Sequence, residues 1–301
     1  MRGRLPQKCP QKQSWAHAYK AVESRRQLPS AARIGFQNGV DRLTLGDITP
    51  VLLTFNEAQN IRRTLSRLAW AKDIVVVDSG STDETVSILA EFPQVRIFHR
   101  PFDTHANQWR YATQGTNIST NWILRLDADY QVPEALKEEL SRLDADVPVG
   151  AYRISFDYAI FGRKLISSLY PPNTILLRKG RFSIWDKGHT EAWAVQGPVK
   201  SLKARIVHDD RKSAEQFMLS QARYMRQELA YLRAGDSGLR ARLRLTPPLM
   251  PLVMFFYCLF GKGLILNGRA GIAYSLQRLI AEAALSLMVL EQKLRSMDGK
   301  S

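Results

Sequence analysis

The chain has 301 residues, of which 45% are hydrophobic and 24% are charged, so it is long and apolar enough to fold around a full core. Its net charge of +15 comes entirely from residues 1–47 and 200–301, because residues 48–199 hold equal numbers of basic and acidic side chains. A neutral middle argues against a nucleic-acid channel, and we expect no nucleic-acid partner, whereas basic flanks are compatible with an anionic membrane surface.

Residues 1–47 form a basic N-terminal extension without a sustained apolar period, and we predict that this segment is largely disordered. The predicted fold begins with a strand at residues 48–54, which is followed by an amphipathic helix at residues 58–68. A fully apolar strand follows at residues 74–77, as expected of a parallel sheet that is covered on both faces.

The alternation of strands and helices continues beyond this point. Ser81 and Glu84 have the spacing of a capping box for the next helix. Further segments are predicted as a strand at residues 95–98, a helix at residues 104–114 and a strand that ends at Asp127. This order predicts an α/β fold with a doubly wound, Rossmann-like, mostly parallel sheet and helices on both faces.

Three polar clusters follow the predicted strands, at the carboxyl ends where such sheets bind ligands. They are Thr54–Glu57, Asp78–Ser81 and Asp127–Asp129. Because residues i and i+2 at a strand end point the same way, the carboxylates of Asp127 and Asp129 are expected to converge. A hard divalent cation, Mg²⁺ or Mn²⁺, would relieve their repulsion. The alternative interpretation of a lone Asp-x-Asp is a solvated turn.

Two common nucleotide-binding motifs are missing from the sequence. No Gly-x-Gly-x-x-Gly follows the first predicted strand, and no Gly-x-x-x-x-Gly-Lys-Ser/Thr occurs in the chain. Their absence argues against a dinucleotide-dependent dehydrogenase and against a P-loop nucleotidase.

The motifs that are present resemble those of the inverting nucleotide-sugar glycosyltransferases of family 2, which have the GT-A fold. The matching segments are LTFNEAQNI, IVVVDSGSTDET and WILRLDADY, which together cover about residues 48–135. The chain is most similar to bacterial members that extend lipopolysaccharide cores or exopolysaccharides. Three later segments, GHTEAW, IVHDD and LNGRAGIAYSLQRLIAEA, resemble that subgroup in their arrangement.

The resemblance implies a set of residues that bind the donor nucleotide. In this set Glu57 contacts the ribose and Asp78 accepts a hydrogen bond from a uracil ring. Asp127 and Asp129 hold the divalent cation, and His208 is a candidate third ligand to the metal or the diphosphate. The donor-binding residues implied in this way are Thr54, Asn56, Glu57, Asp78, Ser79, Gly80 and Asp127.

Inverting transfer also needs a general base that takes the proton of the acceptor hydroxyl. The resemblance implies an acidic residue in the second half of the catalytic domain, and Glu191 is favoured over Asp186. This chain has His-Thr-Glu where many family members have a His-Glu pair or an Asp preceded by Glu. His189 is expected either to orient the base or to contact a phosphate.

Beyond residue 213 the pattern becomes helical and basic. The apolar stretch Leu249–Leu266 is broken by Pro251 and by Gly261–Gly263, so it is marginal as a membrane-spanning helix. Arg240, Arg242 and Arg244 precede this stretch, and basic residues beside an apolar stretch predict a segment that lies in a membrane interface. The alternative is a helix that packs on the catalytic domain. We therefore predict a catalytic domain at residues 48–212 and a membrane-associating helical region at residues 213–301.

The function predicted from the sequence is inverting transfer of a hexose from a UDP-sugar. The acceptor is a lipid-linked or membrane-anchored glycan, and the expected location is the cytoplasmic face of a bacterial inner membrane. Two alternatives stay open. A sugar nucleotidyltransferase normally has a Gly-rich, basic loop after the first strand, where this chain has Thr54–Glu57. A non-catalytic scaffold would be expected to lose a metal carboxylate, but Asp127 and Asp129 are both present.

Overall fold

The computed structural model describes residues 42–145, 147–187, 190–234, 243–246 and 249–298. Residues 1–41 of the predicted extension lie outside the described residues, and so do His189, Arg240 and Arg242. The last part of the predicted extension, residues 42–47, is described, and Leu43 is buried in the main core. Ordered structure therefore begins before residue 48.

The described residues form eleven strands and seven α-helices. The strands are β1 (Ile48–Thr54), β2 (Ile74–Asp78), β3 (Val95–His99), β4 (Trp122–Asp127), β5 (Tyr130–Gln131), β6 (Ala151–Ile160), β7 (Arg163–Lys164), β8 (Asn173–Arg178), β9 (Phe182–Lys187), β10 (Thr190–Val195) and β11 (Val199–His208). The α-helices are α1 (Ile61–Ser66), α2 (Thr85–Ala90), α3 (His105–Gln114), α4 (Glu134–Ser141), α5 (Ala214–Ala234), α6 (Met250–Phe256) and α7 (Gly268–Asp298).

The main sheet has the strand order β3-β2-β1-β4-β8-β6-β11-β5, with β7 paired to β6. Its first half, β3-β2-β1-β4, is parallel. Strand β8 is antiparallel to both of its neighbours, and β11 is parallel to β6 but antiparallel to β5. The predicted α/β fold class is confirmed, and the structure refines the sheet to a mixed one.

The strands of the parallel half bury opposite faces because successive side chains alternate. Leu52, Val76 and Leu124 point into the larger core, together with residues of α1, α2 and α4. Val51, Val75 and Ile123 point the other way, where α3 and the β9–β10 hairpin cover them. Helices thus lie on both faces of the sheet, as predicted.

The start of α2 differs from the predicted capping box. The Ser81 hydroxyl donates to Asp78 Oδ1 at 2.5 Å and accepts from the backbone N–H of Asn56 at 2.9 Å, so it is engaged in the preceding loop. Instead, Asp83 Oδ1 accepts from the backbone N–H of Thr85, the first residue of the helix. The capping box was wrong because the loop offers Ser81 stronger partners, the Asp78 carboxylate among them.

The C-terminal helices pack on each other and on the part of the chain that contains the main sheet. Met225 and Leu229 of α5 contact Leu285 of α7 in one cluster. A second cluster joins Leu264 and Tyr274 to residues of the β6–β7 region. The helix that begins with α6 ends in a π turn at Tyr257–Gly261, and Gly263 follows at φ +69°, so the predicted break at Gly261–Gly263 is confirmed.

Arg244 does not lie at a membrane surface as predicted. Its guanidinium is largely buried, and it forms ion pairs with Glu228 at 2.6 Å and with Glu282 at 3.1 Å. Paired carboxylates on α5 and α7 therefore hold this arginine inside the helical region. Among the described residues, Leu264–Met297 is long and apolar enough to cross a membrane by length and composition alone.

Candidate active site

The carboxyl ends of the parallel strands bring the predicted polar clusters to one edge of the sheet. Thr54 lies opposite Asp78, Leu53 lies opposite Asp127, and Asp78 lies opposite His99 in the strand register. The three clusters, which are separate in the sequence, therefore meet beyond the ends of β1, β2 and β4.

The Asp78 carboxylate is surrounded by donors. Its Oδ1 accepts from the hydroxyls of Thr54 at 3.0 Å and Ser81 at 2.5 Å, and its Oδ2 accepts from the backbone N–H groups of Gly80 and Ser81 at 2.9 Å. Burial opposes ionisation, but these bonds to the charged form outweigh it and lower the pKa of Asp78. Asp78 thus shapes the loop, and a contact with uracil stays a prediction that requires a hydroxyl to turn away.

The other predicted donor-binding residues belong to the same network. The Ser79 hydroxyl accepts from Gln108 Nε2 at 2.8 Å. Gly80 has φ +92°, a backbone conformation that favours glycine. Because the backbone adopts this conformation, the N–H of Gly80 points back to Asp78. Asn56 also has positive φ, at +55°, and its side-chain oxygen accepts from the backbone N–H of Thr82 at 2.8 Å. The loops after β1 and β2 are therefore locked together.

Glu57 lies behind this loop and contacts a late part of the chain. Its carboxylate accepts from Asn60 Nδ2 at 2.9 Å and from the ammonium group of Lys212. Burial raises the pKa of Glu57 to about 7 against the opposing charge of Lys212, and the charge of Asp129 adds to the rise. The sequence did not single out Lys212, because its partner is 155 positions away.

Asp127 ends β4, and Asp129 lies in the short turn before β5. Asp129 Oδ2 bonds His208 Nε2 at 2.8 Å, whereas Asp129 Oδ1 is buried without a hydrogen-bond partner. Burial, and the charge of Asp129 after it, raise the pKa of Asp127. The structure thus places His208 in contact with Asp129 and within electrostatic range of Asp127.

His208 is enclosed by aromatic rings. The ring centroids of Tyr158 and Tyr170 lie 4.6 Å from that of the imidazole, and the Tyr130 centroid lies at 5.4 Å. Burial lowers the pKa of His208, but the adjacent carboxylate of Asp129 outweighs this effect and raises it. In return, His208 lowers the pKa of Asp129 against the effect of burial. Both pKa shifts favour a charged pair.

The oxygen donors at this edge fit a hard divalent cation. Asp129, two positions after Asp127, offers a buried carboxylate oxygen that has no hydrogen-bond partner. Within the described ranges, no group of three or more His, Cys, Asp or Glu side chains is arranged to hold a metal ion. A cation bound by Asp127 and Asp129 would therefore take further oxygen ligands from a bound diphosphate or from water, as Mg²⁺ commonly does.

The two candidates for the general base are cross-strand partners, since Glu191 on β10 lies opposite Asp186 on β9. Glu191 Oε1 accepts from Arg125 Nη1 at 2.8 Å and from Trp193 Nε1 at 3.0 Å. Burial raises the pKa of Glu191, but Arg125 and Trp193 outweigh it and the pKa is lowered. Asp186 is exposed, and its carboxylate lies 3.4 Å from the backbone nitrogen of Ala106 near the start of α3.

Arg125 is the main site residue that the sequence analysis missed. It lies on β4 two positions before Asp127, so the period of a strand places both side chains on the same face of the sheet. An arginine inside an otherwise apolar strand was the available signal, because a buried cation requires a partner. That partner, Glu191, is 66 positions away and could not be identified from local spacing.

The sequence is similar to those of known glycosyltransferases. Residues 50–202 match the model of glycosyl transferase family 2. The chain is 27% identical over 222 residues to the lipopolysaccharide core biosynthesis glycosyltransferase LpsC of Rhizobium meliloti (strain 1021), covering 69% of this chain and 80% of that protein. It is 33% identical over 99 residues to an uncharacterized glycosyltransferase of Rickettsia bellii (strain RML369-C), about a third of each chain.

Solved structures give more distant likenesses. TarS 1-349 of S. aureus has a TM-score of 0.42 at 12% identity and covers 82% of this chain and 91% of that one. Glucosyl-3-phosphoglycerate synthase of Mycobacterium tuberculosis, in complex with Mn²⁺, UDP and phosphoglyceric acid, has a TM-score of 0.41 at 15% identity. It covers 65% of this chain and 81% of that one.

Proposed function

Because the chain belongs to glycosyl transferase family 2, we propose that it transfers a hexose from a UDP-sugar to a membrane-anchored glycan, with inversion at the anomeric carbon. The family membership and the mixed sheet confirm the predicted GT-A fold. Similarity to LpsC supports an acceptor of the lipopolysaccharide-core class. The family assignment favours glycosyl transfer over the nucleotidyltransferase and scaffold alternatives.

The buried, unpartnered Oδ1 of Asp129 is the observation that carries the proposal. A polar atom buried without a partner is costly, so its persistence at a ligand-binding sheet edge supports a ligand at that position. Asp127 and Asp129 would hold a divalent ion, Mg²⁺ or Mn²⁺, with His208 holding the other oxygen of Asp129. When bound, the ion would stabilise the charge that develops on the departing diphosphate.

The residues of the chain then perform the transfer step. The acceptor hydroxyl oxygen attacks the anomeric carbon while the bond from that carbon to the β-phosphate oxygen breaks and UDP leaves. The hydroxyl proton passes to Glu191, whose Oε1 already accepts two hydrogen bonds, so Oε2 is the oxygen that receives it. Thr54, Asn56 and Asp78 hold the nucleoside loop in shape during this step.

The C-terminal helices support attachment to a membrane. Large apolar side chains remain exposed on this part of the chain, including Leu249, Leu252, Phe256, Tyr257, Phe260, Ile265 and Leu266. A surface of this kind is typical of a protein that binds another protein or a bilayer. We place the enzyme as a peripheral protein on an anionic leaflet, at the cytoplasmic face of the inner membrane, where a lipid-linked acceptor would be presented.

Slow hydrolysis of the donor tests the transfer chemistry without requiring the acceptor. UDP release from a panel of UDP-α-hexoses is measured with Mg²⁺ or Mn²⁺, and ¹H NMR identifies the sugar anomer that appears first. Metal-dependent release that yields the β-anomer first is expected. The α-anomer first would contradict inversion, and an absence of UDP binding or release across the panel would contradict a UDP-hexose donor.

A further inference from the structure

A buried arginine on β4, the strand that ends at Asp127, contacts the predicted base. We propose that Arg125 is a positioning residue, which holds Glu191 in the geometry required for proton transfer and ties the β9–β10 hairpin to β4. This inference rests on the proposed role of Glu191. Arg125 itself need not touch the substrate.

Two tryptophan rings and the Glu191 carboxylate surround the buried guanidinium group of Arg125. The group lies over the rings of Trp109 at 5.1 Å and Trp193 at 4.7 Å, and only 5% of the side chain is exposed. Its Nη1 bonds Glu191 Oε1 at 2.8 Å. The two indole rings contact each other edge to face, with centroids 5.9 Å apart, and the guanidinium packs in the corner that they form. These contacts restrict rotation of the planar cation, and so they also restrict the carboxylate bonded to it.

Glu191 depends on such a contact because its hairpin is not part of the main sheet. Strands β9 and β10 pair only with each other among the described strands. The backbone joins the base of the hairpin to β8 and β11, so beyond this base side chains set the distance of the hairpin from the sheet. The Arg110 guanidinium also donates to the carbonyl of Ile184 at 2.8 Å, but this contact joins the hairpin to α3. Arg125 joins it to the strand that ends at Asp127.

The charge of Arg125 serves two carboxylates. Asp127 and Glu191 raise each other's energy when both are ionised, and the guanidinium attracts both of them. Without the arginine, repulsion and the loss of the ring contacts would let the hairpin move away from the sheet. The base would then lie out of reach of a hydroxyl at the anomeric carbon, because proton transfer needs hydrogen-bond distance.

The chain offers a matched control in Arg96. Arg96 pairs with Asp73 through two nitrogens at 2.7 and 2.8 Å and lies 5.6 Å from the Phe98 ring, so it also combines an ion pair with a ring contact. Asp73 precedes β2 and Arg96 is the second residue of β3, so this pair lies at the opposite end of the strands from the site. Loss of Arg96 removes the same kinds of contact without affecting Glu191.

The test compares Arg125→Met, Arg125→Lys and Arg96→Met in donor hydrolysis, with Tm measured for each. Arg125→Met is expected to lower kcat by about 10²-fold or more, approaching Glu191→Gln, while the KM for the UDP-hexose changes little. Arg125→Lys, which keeps the charge but not the planar contact, is expected to fall between. Arg96→Met is expected to lower Tm but to leave kcat unchanged.

The pH profile supplies a readout that a merely structural role would not move. Glu191 faces the guanidinium of Arg125, the imidazole of His105 and the carboxylate of Asp127, and it lies opposite Asp186. Removal of the Arg125 charge raises the pKa of Glu191, so the acidic limb of kcat is expected to move to higher pH in Arg125→Met. The double variant with Glu191→Gln is expected to be no slower than Glu191→Gln alone.

The outcomes separate this inference from the proposed function. If Glu191→Gln abolishes turnover but Arg125→Met and Arg125→Lys keep wild-type kcat and pH profile, the positioning role is overturned and the base stands. If Glu191→Gln keeps full turnover, the proposed role of Glu191 as the base and the positioning role of Arg125 are both overturned. Where Arg125→Met does not fold, Arg125→Lys and its pH profile decide.

Discussion

His208 Nε2 lies 2.8 Å from Asp129 Oδ2, and this contact joins the end of β11 to the turn after β4. Strand pairing places His208 opposite Tyr130, so the imidazole is carried to the carboxylate by the sheet itself. The ion pair leaves the second oxygen of Asp129 without a partner. One residue thus both anchors the histidine and offers a free ligand atom.

The pair predicts a defined pH dependence of stability in the metal-free protein. The pKa of His208 is raised in the folded protein, so protonated His208 stabilises the fold. This contribution to the free energy of unfolding is fully present below the pKa of an unfolded histidine, about 6.5, and is lost as pH rises through the pKa of the folded state. The pKa of Asp129 is lowered, so its contribution is lost only in strong acid. In chelator, the free energy of unfolding that His208→Gln removes is therefore expected to be larger at pH 6 than at pH 9.

Urea unfolding at the two pH values measures this difference. His99→Gln is the control, because His99 is well exposed and its Nδ1 lies 3.8 Å from Asp78. A His208→Gln effect that is independent of pH would show that the imidazole contributes packing among the tyrosine rings and no charge.

The two carboxylates of the proposed metal site, Asp127 and Asp129, predict a second result. Asp129→Ala is expected to abolish transfer and metal-dependent binding of UDP, and Asp127→Ala is expected to weaken both. Calorimetric titration of UDP with and without Mn²⁺ measures the binding, and a ligand at 100 times its Kd stabilises by about 2.7 kcal/mol in thermal shift. Asp73→Asn is the matched control. Full activity of Asp129→Ala in excess chelator would refute the metal site.

The sequence predicted those parts of the molecule that local patterns determine. Apolar runs identified β1, β2 and β4, and strand geometry placed Asp127 at the sheet edge. Contacts between distant residues were not predictable. Arg244 looked like a membrane-facing charge because nothing local shows that Glu228 and Glu282 surround it. Long-range pairing also explains why Lys212 was missed.

The proposed role of Glu191 as the general base predicts that Glu191 and its neighbour Asp186 respond differently to substitution. Glu191→Gln is expected to leave UDP binding intact and to lower turnover by roughly 10²–10⁴-fold, the usual contribution of a positioned base. Asp186→Asn is expected to do much less, since Asp186 is exposed and the hydrogen bond that it accepts from the backbone N–H of Ala106 is long, at 3.4 Å. Steady-state kinetics of donor hydrolysis compare the two variants. The reverse ranking would assign the role to Asp186.

Substitution of Gly271 is expected to lower the stability of the C-terminal helices. A Cβ added there would lie 1.8 Å from the carbonyl oxygen of Leu264, which is backbone and cannot move aside cheaply. Gly271→Ala is therefore expected to separate α7 from the turn before it and to lower Tm by several degrees. Gly268→Ala tests the opposite case of an open position, although its φ of +55° adds some strain. Equal Tm values for wild type and Gly271→Ala would contradict the close approach.

Membrane binding is better tested by surface substitutions than by truncation. Removal of residues 245–301 would expose Ile160 and Leu165, which pack against Leu264 and Tyr274. The truncated protein is therefore expected to aggregate. Exposed side chains can be changed without opening this core.

The last prediction is that exposed apolar side chains, more than arginine charges, attach the protein to a bilayer. Leu266 is 82% exposed and Phe260 is 58% exposed, whereas Arg244 is held in buried ion pairs and cannot reach lipid headgroups. Because apolar burial is not screened by salt, binding to anionic vesicles is expected to persist in part at high salt. The double variant Phe260→Ser with Leu266→Ser is expected to reduce cosedimentation, with Val199→Ser as the control at a distant exposed site. Full-length protein that stays in the supernatant with anionic vesicles at low salt would show that this surface binds something other than a membrane.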